Sequence, residues 1–221
     1  MTGYFITLEG IDGSGKTTHL GFLKEMLSSI GFRVVLTREP GGTALGEKIR
    51  EILLDPSTRG MDPMTEVLLY NAARSQLVKE VIQPALQRGL VVLSERFADS
   101  TIAYQGYGLG LPVDIVRSVN GVACNGVYPD LTLLFDLDVE IARARILKKV
   151  PDRVECRDVD YYRRVREGYL TIAGEETHRV KIIDASQAIE EVRRRATQAV
   201  LDFVRVHSPS RSKERDDSPS S

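Results

Sequence analysis

The stretch GIDGSGKTT, Gly10 to Thr18, decides how the rest of the chain is read. It fits G-x-x-x-x-G-K-[ST], and its flanks give it meaning: YFITLE (4–9) has the apolar, branched content of a buried strand, and GKTTHLGFLKEML reads as a helix. A glycine-rich turn between strand and helix is a phosphate cradle, in which backbone N–H groups converge on phosphate oxygens at the positive end of the helix. Gly10, Ile11, Asp12, Gly13, Ser14, Gly15, Lys16, Thr17 and Thr18 are the expected nucleotide contacts. Lys16 would reach the β- and γ-phosphates, and Thr17 can ligate Mg²⁺. The variable positions carry an acid, Asp12, and no Arg or Lys. The positive charge that completes a phosphoryl transfer therefore has to come from another part of the chain.

Outward from this loop, RVVLT (33–37), LVVLSE (90–95), LTLLFDL (131–137) and RVKIID (179–184) are further short, branched, apolar runs typical of strands buried on both faces. Helical patterns separate them, over about 15–30, 43–54, 63–87, 112–121, 139–149, 158–173 and 187–206. Strand and helix in alternation predict an α/β fold, an open parallel sheet with helices on both faces and ligands beyond the carboxyl ends of its strands. GYGLG (106–110) lacks a strand-to-helix context and reads as a loop.

The 221 residues, 42% of them hydrophobic, suit one domain spanning 1–206, and HSPSRSKERDDSPSS (207–221) has no apolar face and is expected to be a disordered tail. A formal charge of −1 argues against nucleic acid or an anionic membrane as partner. No apolar run approaches the roughly 18–20 residues of a membrane span, and a cytoplasmic protein is expected. Cys124 and Cys156 are expected to be free thiols.

Arginines cluster where the second and third strands end. Arg38-Glu39-Pro40-Gly41-Gly42-Thr43 is followed by Arg50, and Glu95-Arg96-Phe97 by Asp99-Ser100-Thr101 and Tyr104-Gln105. Arg38, Arg50 and Arg96 would form a second anion site facing the first, as a phosphoryl donor and acceptor require. A GTPase would carry, beyond the phosphate loop, a D-x-x-G after a strand and an N-K-x-D base reader; the nearest candidates, such as CNG at 124–126, do not match.

The stretches FITLEGIDGSGKTT, TREPGGT, LLYNAARSQ, ERFADSTIAYQGYG, YPDLTLLFDLD and DRVECRDVDYYRRVREGYL together resemble bacterial thymidylate kinases over about 4–206. The resemblance implies a P-loop nucleoside monophosphate kinase fold with five-stranded sheet order 2-3-1-4-5, a homodimer, and Mg²⁺-dependent transfer of the γ-phosphoryl of ATP to dTMP on the way to dTTP. It implies that Tyr70 stacks on thymine and that Arg74, one helical turn on, donates to the base O4, so that cytosine is refused. Thr101 and Gln105 match contacts to the base edge, and Tyr104 a residue that crowds the sugar's 2′ side. Arg38, Glu39, Pro40, Arg50 and Arg96 complete the acceptor site.

Glu95 stands where many relatives have Asp and would anchor Mg²⁺ with Thr17, directly or through water. Asp12 matches an acid near the acceptor sugar and metal. The missing charge is expected from a lid over about 148–158, with Arg153 on the transferring phosphoryl and Arg145 and Arg157 facing the nucleotide. Lys16, Arg153, Arg96 and Asp12 are thus the expected catalytic set. A sibling kinase acting on another nucleotide, and a non-catalytic ATP-binding switch, remain alternatives.

Overall fold

The computed structural model describes residues 3–58, 60–146 and 152–207. Most of the expected lid's first half, 148–151, and the tail beyond His207 lie outside the described residues. Five strands, β1 (Tyr4–Glu9), β2 (Val34–Arg38), β3 (Val91–Glu95), β4 (Leu131–Asp136) and β5 (Val180–Asp184), form one parallel sheet in the order β2-β3-β1-β4-β5. β1 is the central strand, pairing Ile6 with Leu93 on one side and with Leu131 on the other. Phe5, Ile6 and Leu8 are fully buried. The chain turns to opposite sides of β1 before and after β3, so the sheet's switch point falls beside the loop that follows β1.

The helices are α1 (Lys16–Ser29), α2 (Ala44–Leu54), α3 (Pro63–Leu77), α4 (Gln83–Gln87), α5 (Ala98–Thr101), α6 (Val113–Cys124), α7 (Val139–Ile146), α8 (Val159–Glu175) and α9 (Ile189–His207). The single helix expected over 63–87 is a rod in which a π-helical turn, Val78–Ile82, joins α3 to α4. Its start follows from local chemistry: Asp62 accepts from the N–H groups of Met64 and Thr65, and Pro63 supplies a preset φ at the first helical position. Thr43 and Asp158 cap α2 and α8 in the same way.

The region after β3 departs from the sequence expectation. GYGLG does not begin as a loop, because α5 runs on into a π-helical segment, Ile102–Gly108, that contains Gly106 and Gly108. Its packing against α8 explains Gly108, where a Cβ would lie 2.6 Å from the Tyr161 ring and 2.7 Å from Val165 Cγ2, and a glycine on α8 that faces it. A Cβ at Gly168 of α8 would lie 2.7 Å from the Tyr107 ring and 2.8 Å from the Tyr107 Cβ, so only a hydrogen fits. Gly168→Ala would gain about 1 kcal/mol of helix propensity, but forcing two elements apart costs about 1–3 kcal/mol. The expected outcome is a net loss of stability, seen as a lower urea midpoint at an unchanged m-value.

Candidate active site

The loop after β1 is shaped by what its backbone approaches. Gly10 has φ 133, and a Cβ there would sit 2.4 Å from the carbonyl oxygen of Phe135. Gly15, at φ 92, is the N-cap of α1 and offers no side-chain oxygen to the first turn. Where α2, α3 and α8 satisfy their leading N–H groups with a side chain, α1 leaves them for an anion. Lys16 is folded onto the loop, its Nζ donating to the Ile11 carbonyl at 2.9 Å and to Ser14 Oγ at 3.4 Å. Burial, with Arg96 close by, pushes the Lys16 ammonium down to about 8.

Thr17 and Thr18 are exposed, and the Thr17 hydroxyl donates to the Glu95 carboxylate at 2.9 and 3.1 Å. A hydroxyl and a carboxylate meeting at the mouth of a phosphate loop fit Mg²⁺, which favours one or two protein oxygens and completes its shell with phosphate and water. Among the described residues no cluster of three or more His, Cys, Asp or Glu offers an all-protein cage.

The loop lies between two clefts. One, of about 260 Å³, is bordered by Gly13, Ser14, Gly15, Thr18 and Arg145, whose Nη1 donates to the Gly13 carbonyl at 3.2 Å. His19 also faces it; its Nδ1 lies 2.9 Å from the Gly15 carbonyl, which can only accept, so that nitrogen carries the proton. The other cleft, of about 350 Å³, holds Asp12, Thr17 and Glu95 on its loop side and the expected acceptor residues opposite.

Arg96 is the hub of the second cleft. It takes a left-handed φ of 68 directly after β3. Its Nη1 donates to the Gly10 carbonyl at 2.9 Å, to the Tyr169 hydroxyl at 3.1 Å and to Ser100 Oγ at 3.2 Å. Its Nη2 donates to Asp12 at 2.6 Å and to the Tyr104 hydroxyl at 3.0 Å, and the guanidinium stands 4.9 Å from the centre of the Tyr104 ring. Burial would raise the Asp12 carboxyl, but Arg96 and Lys16 outweigh it and hold the group down at about 2. Arg38, Arg50 and Tyr70 line the same cleft; Arg38 is steadied by Glu47 at 2.9 Å, and Arg50 by the Pro40 carbonyl at 2.9 Å.

Arg74 has none of its five N–H donors to spare. Nε and Nη2 donate to Glu39, Nη1 to Asn71 and Asn120, and Nη2 also to Thr101 Oγ1 at 2.8 Å. A base carbonyl meets Arg74 only by sharing one of these donors. Both Glu39 oxygens are occupied by Arg74, which makes Glu39 the arginine's holder, and burial raises its carboxyl even beside that cation.

The family model described as thymidylate kinase matches residues 8–196. The chain belongs to the thymidylate kinase family. It is 47% identical to the thymidylate kinase of Exiguobacterium sibiricum, over 93% of this chain and 97% of that one, and 49% identical to that of Pelotomaculum thermopropionicum, over 94% and 99%. The crystal structure of thymidylate kinase from Ehrlichia chaffeensis superposes with a TM-score of 0.75 at 37% identity, covering 91% of this chain and 99% of the other.

Within this thymidylate kinase family member, two expected residues, Arg153 and Arg157, are not where the sequence put them. Arg153 does not face the phosphate loop. It is buried, donating through Nε to the Leu53 carbonyl at 2.7 Å and through Nη1 to Glu66 at 2.7 Å, because a fully buried carboxylate on α3 attracts it more strongly than open solvent does. Arg157 joins the same carboxylate at 2.7 Å. Of Arg145, Arg153 and Arg157, Arg145 alone lines the cleft beside the loop.

Two carboxylates escaped the sequence reading. Glu66 is one, hidden in a helix whose apolar face drew attention first. The other, Glu9, accepts from the Phe97 N–H at 2.7 Å, from Ser100 Oγ at 2.6 Å and from the Tyr169 hydroxyl at 2.9 Å, and so fixes the two hydroxyls that meet Arg96. Burial, with Asp99 nearby, raises the Glu9 carboxyl to about 7. Its place at the end of β1, directly before the loop, was the available signal.

The depressed Lys16 makes nucleotide binding a proton-linked event. A phosphate anion beside Nζ raises its pKa from about 8, so binding takes up protons around pH 8 and weakens as pH rises further. Calorimetry of ATP binding at pH 8 in buffers of different ionisation enthalpy should show uptake; a heat independent of buffer would show that Lys16 stays protonated throughout.

Proposed function

We propose that this chain transfers the γ-phosphoryl group of ATP to dTMP, giving ADP and dTDP, as a Mg²⁺-dependent cytoplasmic step towards dTTP. One observation carries this assignment: the uncapped start of α1 stands between two clefts, one bordered by Arg145 and the other lined by four arginines and the rings of Tyr70 and Tyr104. Donor and acceptor phosphates would meet across the same loop.

The work divides among named groups. The N–H groups of residues 13–18 and Lys16 hold the triphosphate, with Arg145 towards its base. Arg38, Arg50 and Arg96 hold the monophosphate, and Tyr70 stacks on its pyrimidine. Thr101 accepts from Arg74, so its own hydrogen is free for the base carbonyl O4; cytosine, with an amino group there, would set donor against donor. Tyr104, clamped between Asp12 and Arg96, lies against the sugar. Asp12 stays ionised and serves as an electrostatic anchor for Arg96.

Positioning and charge neutralisation supply most of the catalysis in such transfers. Arg96 comes from outside the loop and joins Lys16 at the boundary between the clefts, which answers the need left by a loop whose variable positions carry no Arg or Lys. Thr17 and Glu95 would hold Mg²⁺, which when bound neutralises charge on the phosphate oxygens. A homodimer belongs to the same reading, supported by the exposed Leu68 of α3 and the exposed Ile115 and Val122 of α6, two helices that pack together.

ADP release against a panel of monophosphates tests the assignment. dTMP should lead, with dUMP behind by roughly fivefold, since a single methyl is worth about 1 kcal/mol; no ADP release with dTMP would overturn it. Lys16→Ala should lower kcat by about 10²–10³. Glu95→Gln should raise the Mg²⁺ concentration needed for half-maximal rate, and an unchanged requirement would remove Glu95 from the metal site.

A further inference from the structure

Glu66 is fully buried and has a different task for each oxygen. Oε1 accepts from the Gln105 side-chain amide at 2.8 Å, while Oε2 accepts from Arg153 Nη1 and Arg157 Nη2, both at 2.7 Å. A carboxylate can only accept, so the amide nitrogen of Gln105 must face it and the Gln105 carbonyl is the end left for the cleft that the residue lines. A carbonyl there suits thymine, whose ring N3 carries a hydrogen; cytosine's N3 is an acceptor. The other side of Glu66 fastens the segment after the expected lid's midpoint. The Arg153 N–H donates to the Leu54 carbonyl at 3.1 Å, its Nε to Leu53, and Asp152 and Val154 of the same segment line the cleft. Among the described residues Arg153 Nη2 is buried with no hydrogen-bond partner, and Glu66 is the acid that pairs with this guanidinium.

We infer that Glu66 couples recognition of the pyrimidine to the seating of residues 152–158, one oxygen setting the polarity of Gln105 and the other holding Arg153 and Arg157. The inference rests on the assignment of the larger cleft to dTMP. A base bonded to the Gln105 carbonyl polarises the amide and strengthens its N–H bond to Glu66, which steadies the carboxylate that the two arginines share. Glu66→Gln tests both halves. The new amide offers one acceptor oxygen, which two guanidiniums attract, and turns its NH₂ towards Gln105, which must then flip and present donors to the base.

The measurement is hydrogen exchange of the 152–158 peptide with and without saturating dTMP, no ATP present. In the unaltered protein dTMP should slow exchange there about fivefold or more, the low end of coupling between linked sites. In Glu66→Gln this protection should vanish, and the ratio of kcat/KM for dCMP to that for dTMP should rise about tenfold, as an inverted hydrogen-bond polarity requires. Gln105→Met, which leaves both ion pairs in place, should also lose the protection and serves if Glu66→Gln does not fold. Protection that is missing in the unaltered protein, or that survives in either variant, overturns the coupling. ADP release from dTMP by the unaltered protein reports separately on the cleft assignment.

Discussion

The guanidinium of Arg96 fastens the donor loop to the acceptor cleft. A left-handed backbone costs a residue with a Cβ about 1–2 kcal/mol, and Arg96 adopts one at φ 68. The cost is outweighed: hydrogen bonds to charged groups contribute about 1.5–3 kcal/mol each, and this side chain reaches Asp12, Tyr104, Ser100, Tyr169 and the Gly10 carbonyl. The strained turn aims the side chain back across β1, so the end of β3 acts on a loop more than eighty residues earlier. Asp12 and Tyr104 owe their orientation to that one cation.

Around this hub, order is maintained by three buried carboxylates, none of which has a spare oxygen. Glu9 steadies the turn that carries Arg96, Glu39 holds Arg74, and Glu66 joins Gln105 to two arginines. Burying such groups is unfavourable unless every lone pair meets a donor, and removing one partner typically costs about 3–5 kcal/mol. The return is a set of recognition groups already in position before substrate arrives. Arg74 illustrates it, with all five hydrogens committed and Phe97 5.2 Å beneath its guanidinium.

What could be read from sequence was whatever local spacing determines. The phosphate loop, the five strands and the placement of Arg38, Arg50 and Arg96 after consecutive strands are properties of short stretches, and the sheet brings them together as expected. Glu66 and Glu9 were not legible because their partners lie 39 to 160 residues away along the chain. Arg153 was misplaced for the same reason: a cation in a basic segment goes to whichever acid the fold brings near, and spacing does not name that acid. GYGLG reads as a loop because it lacks a strand-to-helix context, and spacing alone does not show that Gly108 makes room for Tyr161 and Val165 of α8.

The bare first turn of α1 has a consequence beyond catalysis. A fold that leaves donors unmet at its centre is less stable alone than with its nucleotide, and any ligand specific to the native state adds about 2.7 kcal/mol at a hundredfold excess over its Kd. The supply of nucleotide thus becomes part of what keeps the polypeptide folded. Heat tolerance and resistance to proteolysis would rise and fall with the energy state of the cell, so starvation would lower the enzyme's abundance as well as its turnover.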